Sequence, residues 1–112
     1  MLLVCYYTGM KQVLSSRQMI NIELAARATN QSNAQLIQKH MPAAEQAGLK
    51  ILFNCECSDP NCDERISLTI EEFDKLHRIE SQFVIVKGHD EPSVESIKAT
   101  SEKLAVVDKY AL

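Results

Sequence analysis

The sequence predicts an α+β fold: an N-terminal helical segment, then a small antiparallel sheet carrying one further helix. Three observations lead there. From Arg17 to His40 the chain has neither Gly nor Pro, so nothing in that stretch stops a helix. After Gly48 the apolar period changes to two, with Leu49, Ile51 and Phe53 pointing one way and Lys50 between them, as in a half-buried strand. Phe83-Val84-Ile85-Val86 is then a continuous apolar run ended by Gly88, the signature of a short buried strand.

Taken in order, Ser15 or Ser16 is placed to cap the first helix, and Ile20, Leu24 and Ala28 share one of its faces at four-residue spacing. Asn30, Ser32 and Asn33 offer the backbone competing hydrogen bonds, so the segment is open to division into two shorter helices there. Pro42 breaks or kinks the run, and Gly48 ends the turn made by Ala43 to Ala47. Beyond the strand at Leu49–Phe53, residues Arg65 to Leu68 alternate again with Ile66 and Leu68 inward, which makes the intervening segment the connection of an antiparallel pair. Thr69 as N-cap, Glu72 three residues later, and Leu68 set to pack on Phe73 start the next helix, which runs to about Arg78. Val94–Thr100 and Leu104–Tyr110 form a closing hairpin around Ser101-Glu102, with Val106 and Val107 favouring the strand. The predicted order is α(α)–β–β–α–β–β–β, with residues 1–48 as the N-terminal segment and helix or helices and residues 49–112 as the sheet-bearing part of one compact unit. Three Tyr, three Phe and no Trp place the burden of the core on Leu, Ile, Val, Ala and Met.

The connection carries the chemistry. In Cys55-Glu56-Cys57-Ser58-Asp59-Pro60-Asn61-Cys62 the spacing is C-x-C-x4-C. Two cysteines two apart on an extended segment point to the same side. Ser58 to Asn61 forms a turn in which Pro60 presets φ, and the turn brings Cys62 back to the other two. Without a secretory signal, such clustered cysteines point to metal rather than to disulfides. Three thiolates suit Zn2+, which in a structural site takes four ligands. His89 is the preferred fourth: it follows the buried strand, Gly88 lets the backbone approach closely, and Asp90 is placed to orient the ring. Cys5, His77, Asp59 and Asp63 are the alternatives. The metal set is therefore Cys55, Cys57, Cys62 and His89, in a zinc-binding domain over residues 49–112.

Charge narrows the partners. Net charge is −3, but residues 1–48 hold four basic and two acidic side chains, against eight basic and thirteen acidic in residues 49–112. An acidic unit repels the phosphates of nucleic acid, which makes nucleic acid a poor partner and a protein a better one. The longest apolar stretch, Met1–Tyr7, falls far short of the roughly 20 residues of a spanning helix and lacks a basic lead-in. No membrane partner is expected, and the expected location is cytoplasmic.

Over about a dozen residues Cys55–Cys62 resembles the zinc knuckle of post-SET segments of lysine methyltransferases, where three such cysteines are joined by a distant fourth ligand. This implies zinc but not methyl transfer, since the chain has no recognisable methyl-donor site. A longer pattern is similar to a group of small uncharacterised bacterial proteins common in actinobacteria. It comprises the cysteine triplet, Leu68-Thr69-x-Glu71-Glu72-Phe73, Gly88-His89, Pro92 and a late Val-Val strand, with Arg27 to Ile37 upstream. That resemblance implies the same four ligands and no particular activity. The chain departs from it at Lys87, where Pro is expected, and at Ser58, where Gly is expected.

Four thiolate and imidazole ligands close a zinc site and leave no position for water, so the expected function is a protein-binding or regulatory module in which zinc has a structural role. The first helix is expected to cover the sheet. A zinc enzyme with His89 or Glu56 as base is the alternative from another class, and nucleic-acid binding by the knuckle a third. The chain has neither a His-Glu metalloprotease pair nor a nucleophile elbow. A redox role is disfavoured because the acidic residues around the cysteines should raise their thiol pKa values.

Overall fold

A computed structural model describes residues 14–110 of the chain; the apolar stretch Met1–Tyr7 and Cys5 lie outside them. The described part is mixed helix and sheet, as the sequence predicts. Helices α1 (Ser16–His40) and α2 (Ala43–Gln46) precede strands β1 (Lys50–Asn54) and β2 (Arg65–Thr69). Helix α3 (Ile70–Leu76) and strands β3 (Gln82–Val86), β4 (Glu95–Thr100) and β5 (Leu104–Lys109) follow.

Helix α1 starts in a capping box. Ser15 Oγ accepts from the Gln18 backbone N–H at 3.1 Å, and Gln18 Oε1 accepts from the Ser15 N–H at 2.8 Å, which satisfies two donors that the first turn would otherwise leave free. The helix then runs 25 residues without a break, so the division suggested by Asn30, Ser32 and Asn33 does not occur. The Asn30 side chain is committed elsewhere: it bonds the backbone of Asn54 and cannot compete for its own helix. The inward face also differs from the expected one. Ala28 is exposed, and Glu23, Asn30 and Ala34 are the buried positions, because polar groups of the helix find specific partners on the sheet side.

Strands β1 and β2 pair antiparallel from Lys50↔Thr69 to Asn54↔Arg65. Ile51 packs at the margin of the core and Phe53 at its centre, whereas Leu49 precedes the strand and stays over a third exposed. Thr69 and Glu72 close a second capping box, with bonds of 2.8 and 3.0 Å. Leu68 and Phe73 meet in the same cluster, as the staple requires. The other sheet has the order β3-β5-β4, all antiparallel.

Two apolar clusters join these elements. One gathers Ala34, Phe53, Ile66, Leu68, Phe73 and Val84 between α1, the β1–β2 pair and α3. The other places Cys55 and Cys57 against Phe83, Ile85, Ala105 and Val107 of β3 and β5. The three phenylalanines prove central rather than marginal. Phe53, Phe73 and Phe83 are each only 1% exposed, and Phe53 stacks on Phe73 with centroids 4.2 Å apart and planes 7° from parallel. Large flat side chains bury the most area per residue, so a chain with few of them centres its core on them.

Candidate metal centre

The cysteine segment continues the β1–β2 ladder by one bond, from the Cys55 N–H to the Glu64 carbonyl at 3.1 Å. It then crosses to the edge of β3 that β5 leaves free. There the Glu56 N–H donates to the Val84 carbonyl at 3.0 Å, and the Val86 N–H donates to Cys55 Sγ at 3.1 Å. This explains why β3 is buried over most of its length although it lies at the side of its sheet: the loop covers its edge. The hydrogen-bonded turn spans Asp59 to Cys62, one residue later than expected, with Cys62 N–H donating to the Asp59 carbonyl at 3.1 Å. Asp59 Oδ1 also accepts from the Asn61 N–H at 2.9 Å, and Pro60 occupies the position its fixed φ suits.

Gly88 turns the chain after β3. Its φ is +95°, a region that costs an L side chain energy, while a Cβ there would meet nothing within 4 Å. Positive φ, rather than close backbone approach, is therefore what calls for glycine. The turn is closed by the His89 N–H to the Val86 carbonyl at 3.0 Å, and it sets the imidazole over the cysteines.

Among the described residues, Cys55, Cys57, Cys62 and His89 form a group whose ligand atoms all lie within 4.8 Å of one another. His89 Nδ1 stands 3.5 Å from Cys55 Sγ and 3.6 Å from Cys62 Sγ. Cys55 and Cys57 are buried, and Cys62 and His89 form the more open side. The carboxylate nearest the other ring nitrogen is that of Glu64, 3.9 Å from Nε2, in the place where Asp90 was expected.

The thiols are electrostatically unequal. The Cys55 thiol donates to Cys57 and pulls it down to about 5 against the effect of burial, helped by the Asp59 backbone, His89 and Cys62. Cys55 is raised by that same bond and by burial, and Cys62 is raised chiefly by burial. The expectation that acidic neighbours raise all three thiols therefore fails at Cys57, where short hydrogen bonds outweigh more distant charges.

Two of the alternative ligands, Asp59 and His77, are occupied elsewhere. Asp59 caps its own turn, and His77 bonds Glu56 Oε1 through Nε2 at 2.7 Å and faces the Phe73 carbonyl through Nδ1 at 2.8 Å. Glu56 is fully buried, and its carboxylate also accepts from the Val84 N–H at 2.9 Å and from Asn30 Nδ2 at 3.0 Å. Sequence reasoning missed this buried glutamate as a structural centre. The signal was present: where Cys55 and Cys57 face one side of an extended segment, Glu56 between them faces the other.

No helix of the described residues is long and apolar enough to cross a membrane. Comparison of the chain with protein-family models, with curated proteins and with solved structures gave no match, so the functional reading rests on the arrangement of these four side chains.

Proposed function

We propose that the chain binds one Zn2+ through Cys55, Cys57, Cys62 and His89, and that the ion has a structural role in a protein-binding or regulatory module. One observation carries the reading. A tetrahedral zinc with Zn–S near 2.3 Å and Zn–N near 2.05 Å separates nitrogen from sulfur by about 3.5 Å, and His89 Nδ1 stands 3.5 and 3.6 Å from two of the sulfurs. Three soft sulfurs and an imidazole favour zinc over the harder divalent ions. With four protein ligands the site is closed, which favours structure over catalysis. The acidic balance of residues 49–112 favours a protein over a nucleic acid as partner.

Zinc should be found at about one ion per chain in reduced protein, as the ligand count requires. Cys57→Ser and His89→Ala should each lose the ion and the cooperative thermal transition. A reduced, metal-free sample that stays fully folded in strong chelator would refute the reading.

A further inference from the structure

Glu56 turns its back on the proposed ion and reaches into the protein, where three other parts of the chain meet on it. Oε1 takes the Val84 N–H of β3 and the His77 Nε2–H beyond α3, while Oε2 takes an amide hydrogen of Asn30 from the middle of α1. The other His77 nitrogen faces the Phe73 carbonyl oxygen at 2.8 Å, so the ring is held at both of its nitrogens. Asn30 also treats the residue before Cys55 as a neighbouring strand would. Its Oδ1 accepts from the Asn54 N–H at 2.8 Å, and its Nδ2 donates to the Asn54 carbonyl at 2.9 Å. The backbone on both sides of Cys55 is thus fixed from outside the loop, by Asn30 at position 54 and by Val84 at position 56.

Resting on the zinc reading above, we propose that Asn30, Glu56 and His77 are positioning residues for the metal site, and that metal occupancy and the docking of α1 strengthen one another. None of the three touches the ion. They act by holding the Cys55–Cys57 segment extended along β3, with both sulfurs on one side, before the metal arrives. A site held ready loses less freedom on binding, and whatever α1 gives to the metal the metal returns to α1 by the same factor.

Co2+ is the probe, since its visible bands report both thiolate ligation and ligand geometry. Full-length wild type, Asn30→Ala, Glu56→Gln and the double variant are titrated in competition with a chelator. An Ile66→Val protein serves as a stability control that leaves the network intact. Each single variant is expected to weaken Co2+ binding about 10- to 100-fold, the usual effect of removing an outer partner of a ligand, and to shift the ligand-field bands. The double variant should be no weaker than the worse single one, because the residues act as a unit. Asn30→Ala leaves every ligand and its neighbours in the chain untouched, so it decides the matter even where Glu56→Gln fails to fold. Wild-type spectrum and affinity in Asn30→Ala, or losses no larger than those of the control, would overturn the proposal and leave the zinc site standing. Failure of the wild type to take up Co2+ with thiolate absorption would remove both.

Discussion

Cys57 shows how much one residue's surroundings decide. Its low pKa means that the metal-free site already offers one anion near neutral pH, while Cys55 and Cys62 still carry protons. Zinc must displace those two, so binding at neutral pH should release about two protons and the apparent affinity should rise with pH, as expected where ligands must ionise. Calorimetric titration in buffers of different ionisation enthalpy measures the release directly. Gly48 and Gly88 give a second comparison at this scale. Both have positive φ, +77° and +95°, with open space around the missing Cβ. Alanine at either should destabilise by about 1–2 kcal/mol, the cost of left-handed backbone for an L residue. Only Gly88→Ala should also weaken metal binding, because only that turn carries a ligand.

Among the elements, α3 is the shortest helix whose start is fully specified, and its two reciprocal capping bonds stand in for the turns it lacks. Thr69→Ala should lower stability by about 1 kcal/mol, read as a fall in melting temperature with zinc stoichiometry unchanged. Helix α1 depends more on its partners than on its own sequence. Its first turn has no acidic residue, and its inward positions include a glutamate and an asparagine. The cap sets where the helix begins, whereas Asn30 and Glu23 set which side faces in.

At the scale of the molecule, a second buried charged set closes the end away from Asn30. Lys109 of β5 pairs with Glu23 of α1 and Glu95 of β4, and all three side chains are inaccessible to solvent. Lys109 and Arg27 also lie over the Phe83 ring, 4.8 and 4.2 Å from its centroid. Lys109→Met would leave two carboxylates facing one another without a cation, and should destabilise by about 3–5 kcal/mol in urea unfolding. Two acids share one ammonium here, and burial raises Glu23 to about 7 against the opposing pull of Lys109. In the window from its ordinary 4.5 up to 7 the folded chain holds a proton that the unfolded chain has released, so this contribution to stability falls as pH rises. Glu23→Gln should remove that slope: the stability difference between wild type and variant, measured at about pH 5 and about pH 8, should move against the wild type at the higher value.

What the sequence determined by itself were the features written in neighbouring residues: the caps at Ser15 and Thr69, the alternation of β1 and β2, the closing hairpin, and the grouping of three cysteines around Pro60. Each is announced by a pattern of near neighbours in the chain, so each was legible. It also placed His89 with the cysteines, because a short buried strand ending in glycine restricts where the next side chain can go. Only the tertiary structure decided that α1 is continuous, that Asn30 completes the backbone beside Cys55, that His77 belongs to Glu56, and that Glu23 lies under Lys109. Those pairings span from 21 residues to most of the chain. A polar residue carries no mark of its distant partner, since the same side chain is equally suited to water until folding removes it.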